Sequence, residues 1–358
     1  MKLRSRLNFG QRAVGIIFGA LFFSISLNIG LSFAHEISAR AAVVIDSASE
    51  KILYAKNPSL KQPPASTTKL VTAIVVLDKL HPDHIVTISE KAAGTPSISP
   101  HLRSGERFSV RDLLYLALMR SVNSAAVALA EAVAGSEEEF VYMMNDRVSR
   151  LGAENTKFIN ASGLPGHDQY ITAFDLAKIM KESLKYPLIR EIITTRAKEV
   201  FSEAGRKIFI KNTNQLLWTD DDNLGGKTGY TRAARHCFVC AVKKEHNTLI
   251  AAILGESARD NLWDDSEVLL SKGYDVLTQK AEPMIYISSE SERPVVFASY
   301  KTDGKNKKVK AFARGHKYKA KKVAHINSKK GSKKIVKKKM RSSNKELSVR
   351  RSETFDKS

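Results

Sequence analysis

Ser66 and Lys69, three positions apart in the stretch PASTTKL (64–70), have the types and spacing for nucleophilic chemistry. A serine hydroxyl attacks poorly until a base removes its proton. A lysine one helical turn further on can be that base if its amine is neutral. Free lysine titrates near about 10.4, so burial and a second nearby cation are needed to bring it down. Leu70, Ile74 and Leu77 recur at i, i+4 and i+7, which predicts a buried helix starting near Ser66. At such a start the backbone N–H of Ser66 has no helical partner and can face a developing oxyanion.

Two further short motifs supply what that pair lacks. Ser121-Val122-Asn123 falls between two helical stretches, SVRDLLYLALMR (109–120) and SAAVALAEAVAG (124–135). Ser109 is a plausible N-cap for the first, and Gly135 ends the second. In that turn Ser121 can relay a proton to a leaving amine, and the Asn123 amide can hold a substrate carbonyl. Lys227-Thr228-Gly229 lies in GGKTGYT (225–231), at a strand edge. Lys227 and Thr228 can bind a carboxylate, and Gly229 lets a substrate approach the strand closely. Lys227 is also the candidate cation beside Lys69. Alone, the Ser66–Lys69 pair reads equally well as solvated surface, and Ser121-Val122-Asn123 as an ordinary polar turn. In this order and context the three match a set used for serine acyl transfer.

The elements around them are legible by periodicity. AAVVIDSASEKILYAKNP (41–58) reads as two strands around a polar turn, Asp46 to Glu50. SEEEFVYMMNDRVSRLG (136–152) reads as a helix with a capping box, Ser136 with Glu139. TAFDLAKIMKESL starts another helix at Thr172, and after a polar stretch RHCFVCAVK and NTLIAAILG form a hairpin. DDSEVLLSKGYDVL (264–277) closes with a helix. Strands at both ends and helices between them predict an α+β body, with one antiparallel sheet covered by helices. The CxxC pair, Cys237 and Cys240, sits in a strand, where residues three apart point to opposite faces. No further cysteine completes a zinc site. Both read as apolar strand residues, His167 and His236 as loop and strand residues, and no metal or cofactor is expected.

Charge is unevenly placed along the 358 residues. Residues 301–358 hold 22 Lys and Arg against 4 Asp and Glu, whereas the first 300 hold 36 against 33. Residues 1–34 read as a signal peptide: Lys2, Arg4, Arg6 and Arg12, an apolar run, then Ser32 and Ala34 before the cleavage point. An uncleaved N-terminal anchor is the other reading, and either one exports the body to the periplasm or the outer face of the cytoplasmic membrane. Residues 35–280 form the enzyme domain, 281–300 a short strand-like extension or linker, and 301–358 a disordered Lys-rich tail. The tail's aromatics are Phe312, Tyr318 and Phe355, too few for base stacking, so no specific nucleic acid is expected. Anionic membrane or other envelope polymers suit an exported basic tail better, and a solvated tail with no fixed partner is the equal alternative.

Together with VVIDSASEKILYAKNP, SGERFSVRDLLYLALMRSVNSAAVALAE and FVYMMNDRVSRLGAENTKFINASGLP, the motifs resemble the D-alanyl-D-alanine carboxypeptidases. These are the low-molecular-mass penicillin-binding proteins, and the resemblance covers roughly residues 38–278. It implies a β-lactamase/transpeptidase-like fold and hydrolysis of the terminal D-Ala of peptidoglycan stem peptides through an acyl-enzyme, without metal. β-Lactam antibiotics would acylate the same serine. The resemblance makes Ser66 the nucleophile, Lys69 the general base, Ser121 and Asn123 the relay pair, and Lys227 and Thr228 the carboxylate binders. The backbone N–H groups of Ser66 and Tyr230 would form the oxyanion hole. Departures stand at Ser124, where many relatives have Asp, and at Arg235, where many have Gly. A third is at Leu262, aligned with a frequent arginine for which Arg259, one turn away, can substitute. The family's C-terminal β-domain and amphipathic anchor helix have no clear counterpart.

The same residues suit a D,D-endopeptidase that cuts cross-links. A serine β-lactamase needs a carboxylate placed for deacylation, and none between Asn123 and Lys227 stands in such a motif. A non-catalytic envelope-binding protein acting through its basic tail is the alternative from another class, and the intact Ser66, Lys69, Ser121 and Lys227 argue against it.

Overall fold

The first strands form because their residues are apolar on both faces. β1 (Ala41–Asp46) is buried along its whole length and pairs antiparallel with β2 (Ile52–Lys56). The computed structural model describes residues 37–288, 294–299 and 310–311. Residues 1–34, read as a signal peptide, and nearly all of the Lys-rich tail therefore lie outside the described residues. A 3-10 turn, Ala65–Thr68, leads into α1 (Lys69–Leu77). α1 is buried from Lys69 to Val76, as its all-round apolar sequence requires.

A helical layer follows. It contains β3 (Ile85–Thr87), α2 (Glu90–Gly94), β4 (Arg107–Ser109), α3 (Val110–Met119), α4 (Asn123–Ala134) and α5 (Glu137–Arg150). α6 (Ala173–Ser183) and α7 (Pro187–Thr194) complete it. The sequence's cap signals are used as such. Ser109 accepts from the Asp112 N–H, Ser136 from Glu139 and Thr172 from Asp175, and Gly135 ends α4 at φ +78°. The chain then forms a ribbon, β5 (Ala197–Phe201) with β6 (Lys207–Lys211), and returns to the sheet through β7 (Asn223–Thr231), β8 (Arg235–Lys244) and β9 (Asn247–Glu256). α8 (Arg259–Leu277), β10 (Met284–Ser288), β11 (Pro294–Ser299) and β12 (Lys310–Ala311) close the described chain.

The main sheet runs β12-β11-β10-β2-β1-β9-β8-β7, antiparallel except where β10 lies parallel to β2. Alternate residues feed two cores. Ala41, Val43 and Ile45 face the core shared with α1 and α3–α7, while Ala42 and Val44 face the core shared with α8. Cys237 belongs to the first core and Cys240 to the second, so the two thiols are on opposite faces, and burial pushes both up to about 12.

Sequence reasoning missed or misplaced several elements. The stretch read as polar before GGKTGYT contains α7 and the β5–β6 ribbon, in which Val200, Ile208 and Ile210 turn inward and Glu199, Lys207 and Lys211 outward. α8 begins at Arg259, five residues before the apolar periodicity shows it. Within residues 281–300, read as a short strand-like extension or linker, β10 pairs with β2 and β11 with β10, so both join the main sheet. Within the segment read as disordered, Lys310 and Ala311 pair with β11. An open strand edge offers backbone donors and acceptors to almost any sequence.

Candidate active site

The Ser66–Lys69 pair sits on a tighter turn than an α-helix. With three residues per turn, a 3-10 segment stacks positions i and i+3 directly, and Lys69 Nζ lies 3.0 Å from Ser66 Oγ. Nζ is also 2.6 Å from Asn123 Oδ1 and 2.5 Å from the Ser162 carbonyl. Both can only accept, since the Asn123 amide nitrogen donates to the Pro96 carbonyl at 2.7 Å. A neutral amine has two hydrogens and one lone pair. The hydrogens go to Asn123 and Ser162, which leaves the lone pair for the Ser66 hydroxyl. Lys69 is 1% exposed; burial first, and then the charge of Lys227, push its pKa well below the ordinary lysine value.

Two glycines make this geometry fit. A Cβ on Gly163 would lie 1.8 Å from the Ala65 carbonyl oxygen, and the residue has φ +80°, so only glycine lets the Ser162 turn reach the 3-10 turn. A Cβ on Gly229 would lie 2.9 Å from the Ser66 nitrogen. The close approach that Gly229 permits is therefore first that of the chain's own nucleophile turn to β7.

Ser121 stands in the turn between α3 and α4 at φ +66°, a left-handed conformation uncommon outside glycine. Its Oγ accepts from Lys227 Nζ at 3.0 Å, and Nζ also donates to the Thr228 carbonyl at 2.8 Å. Lys227 is 1% exposed, and burial brings its pKa down to about 7.

Ser66, Ser121, Asn123, Thr228, Gly229 and Tyr230 line one cleft of about 360 Å³, with Lys69 and Lys227 buried behind it. Sequence reasoning did not select the Ser162 carbonyl, Thr213, Arg120 or Trp263 as site residues, yet all contact Lys69 or line the cleft. The Asn160-x-x-Gly163 turn is a visible signal for the first, because Asn160 Oδ1 accepts from the Gly163 N–H at 2.7 Å. His236, read as a plain strand residue, also lines the cleft, its ring centroid 4.5 Å from that of Tyr230. Burial, then the charge of Arg259, lower its pKa. A larger hollow of about 600 Å³, lined by Lys181, Lys185, Arg190 and Thr248, contains no nucleophile–base pair. Among the described residues no group of three or more His, Cys, Asp or Glu side chains is placed to hold a metal. No described helix is long and apolar enough to cross a membrane.

Residues 30–258 match the family model for the S11 peptidases, described as D-alanyl-D-alanine carboxypeptidase. The chain belongs to this D-alanyl-D-alanine carboxypeptidase family. It is 37% identical over 229 residues to the carboxypeptidase DacF of Bacillus subtilis, covering 63% of this chain and 58% of that protein. It is 38% identical over 214 residues to a D-alanyl-D-alanine endopeptidase of Pseudomonas aeruginosa, covering 59% of this chain and 69% of that one. The crystal structure of the Streptomyces K15 DD-transpeptidase superposes with a TM-score of 0.63 at 29% identity, over 67% of this chain and 98% of that one. The chain spans less than two thirds of the length of the Bacillus relative.

The departures from the family pattern have visible settings. Arg235 has φ +60°, a conformation that glycine adopts freely and that costs another residue about 1 kcal/mol. Arg259, the first residue of α8, lines the cleft beside Leu262. Ser124 is buried, and its Oγ has no hydrogen-bond partner. A buried hydroxyl without a partner destabilises by about 1–3 kcal/mol. Ser124→Ala is therefore expected to leave stability unchanged or raise it by roughly 1 kcal/mol, read as the urea midpoint at constant m-value. A fall of that size would mean the hydroxyl has a partner after all.

Proposed function

We propose that this chain is a serine D-Ala-D-Ala carboxypeptidase acting on peptidoglycan stem peptides. The observation that carries the reading is the contact set of Lys69, whose lone pair has only the Ser66 hydroxyl to face. Lys69 takes the Ser66 proton as Oγ attacks the carbonyl of the penultimate D-Ala. Backbone N–H groups of Ser66 and Tyr230 receive the oxyanion. The C–N bond then breaks: the Ser121 hydroxyl, held by Lys227, passes its proton to the departing D-Ala amine and takes up the one that Lys69 had removed from Ser66, so that Lys69 is neutral again. Water attacks the resulting ester, Lys69 again removing a proton, and Ser66 is restored. The terminal carboxylate would bind through Lys227, Thr228 and Arg259; Thr228 and Arg259 line the cleft, and Lys227 is buried behind it. A β-lactam stops at the ester stage, because its leaving group stays tethered.

A pentapeptide ending in D-Ala-D-Ala, incubated with the full chain, is expected to release one D-Ala per peptide; no release under conditions where penicillin labels the protein would refute the reading. The second reading is a D,D-endopeptidase, favoured by the identity to the Pseudomonas endopeptidase. Cleavage of cross-linked dimers faster than release of terminal D-Ala selects it.

The signal peptide reading places this work outside the cytoplasmic membrane, and the tail's 22 Lys and Arg would hold the enzyme to an anionic surface. Charge attraction weakens as the Debye length drops from about 10 Å at 0.1 M salt to about 3 Å at 1 M. The full chain should co-sediment with anionic vesicles at 0.1 M salt and be released at 1 M. Binding that survives 1 M salt would mean that something other than charge holds it.

A further inference from the structure

We propose that Thr213 is a positioning residue of the carboxylate subsite, presenting the Thr228 hydroxyl to the substrate; this rests on the carboxypeptidase reading above. Thr213 lies between β6 and the 3-10 turn Gln215–Trp218. Its Oγ1 is 2.6 Å from Thr228 Oγ1, and its backbone N–H donates to the Met119 carbonyl at 3.1 Å. One residue is thus bonded to both walls of the cleft. On one side is the end of α3, two positions before Ser121, and on the other is β7, next to Lys227.

The turn that carries Thr213 is held firmly from behind. Asn212 Nδ2 donates to the Thr195 carbonyl at 3.0 Å, and the Asn214 N–H donates to Asn212 Oδ1 at 3.0 Å. Asn214 Nδ2 donates to Asn223 Oδ1 at 3.2 Å. All three asparagines are buried. Bonds of this kind fix the Thr213 hydroxyl relative to β7 before any ligand arrives.

Two hydroxyls carry two hydrogens. The bond between them uses one, whichever group donates, and leaves the other on the pair. Thr213 and Thr228 both line the cleft, and the buried Lys227 amine is next along β7. With Thr213 as the donor of that bond, the Thr228 hydrogen is left for the cleft beside the Lys227 amine, where two donors side by side suit the two oxygens of a carboxylate better than an amide, one of whose groups is N–H₂. Without the Thr213 hydroxyl, the Thr228 hydroxyl is still present but free to rotate. The loss should fall on the binding of acids, not on bond making at Ser66.

The test uses the full chain, Thr213→Val and Thr213→Ser, with a D-Ala-D-Ala peptide as the free acid and as its C-terminal amide. Thr213→Val is expected to raise KM for the acid about tenfold with kcat within roughly threefold, and to cut the acid-over-amide preference in kcat/KM about tenfold. Thr213→Ser should restore both. If Thr213→Val does not fold, Thr213→Ala removes the same hydroxyl and is read the same way. Equal losses on acid and amide, a kcat loss at unchanged KM, or no rescue by Ser would overturn the assignment. Wild-type protein that turns over neither peptide would instead overturn the carboxypeptidase reading and, with it, this one.

Discussion

Lys69→Met is expected to slow acylation of the protein by penicillin by roughly 10²–10⁴-fold, the range over which a positioned general base acts. Methionine keeps most of the buried volume of α1 but has no lone pair to accept the Ser66 proton. Lys69→Arg should do no better, because guanidinium stays protonated. It would also bring a charge into a site where Lys69 is 1% exposed. Fluorescent-penicillin labelling rates, measured on protein whose thermal transition shows it is folded, decide the matter. A rate within tenfold of wild type for Lys69→Met would place the base elsewhere.

The second large effect concerns Lys227 and has a pH signature. Lys69 must be neutral to act, and its pKa is pushed well below the usual value by burial and then by Lys227. Falling pH protonates it, removes the lone pair and produces an acid limb. Lys227 must be charged to hold a carboxylate, and burial brings it to about 7. Rising pH therefore removes its charge and produces an alkaline limb in kcat/KM. A bound carboxylate favours the charged amine, so the same limb lies at higher pH in kcat. The two limbs belong to the lysine pair jointly, since each charge opposes the other. Lys227→Arg, always charged, should retain part of the activity and lose the alkaline limb. A Lys227→Arg profile that still falls above neutral pH would assign that limb to another group.

Ser66 and Lys69 were legible in the sequence because a spacing of three puts both on one local turn, and Lys227 because GGKTGYT reads as a glycine-flanked strand segment. The strands β1, β2, β8 and β9 were legible for a similar reason, since their apolar runs can only be buried. Ser162 acts through a backbone carbonyl, which every residue has, so no side-chain type points to it. Thr213 reaches Thr228 only after the β6–β7 connection has folded back, a contact set by tertiary packing. The β5–β6 ribbon was hidden because its outward face carries Lys, Glu and two exposed phenylalanines, Phe201 and Phe209, which blur the alternation. The start of α8 was hidden because Arg259, Asp260 and Asn261 are exposed, and burial begins at Leu262.

The nucleophile is the centre of the account, and intact-mass spectrometry tests it most directly. Wild-type chain and Ser66→Ala, each incubated with benzylpenicillin, are compared for a covalent adduct. The account predicts one adduct on the wild-type chain, mapping to the peptide that contains Ser66, and none on Ser66→Ala. An adduct of equal yield on Ser66→Ala would contradict it.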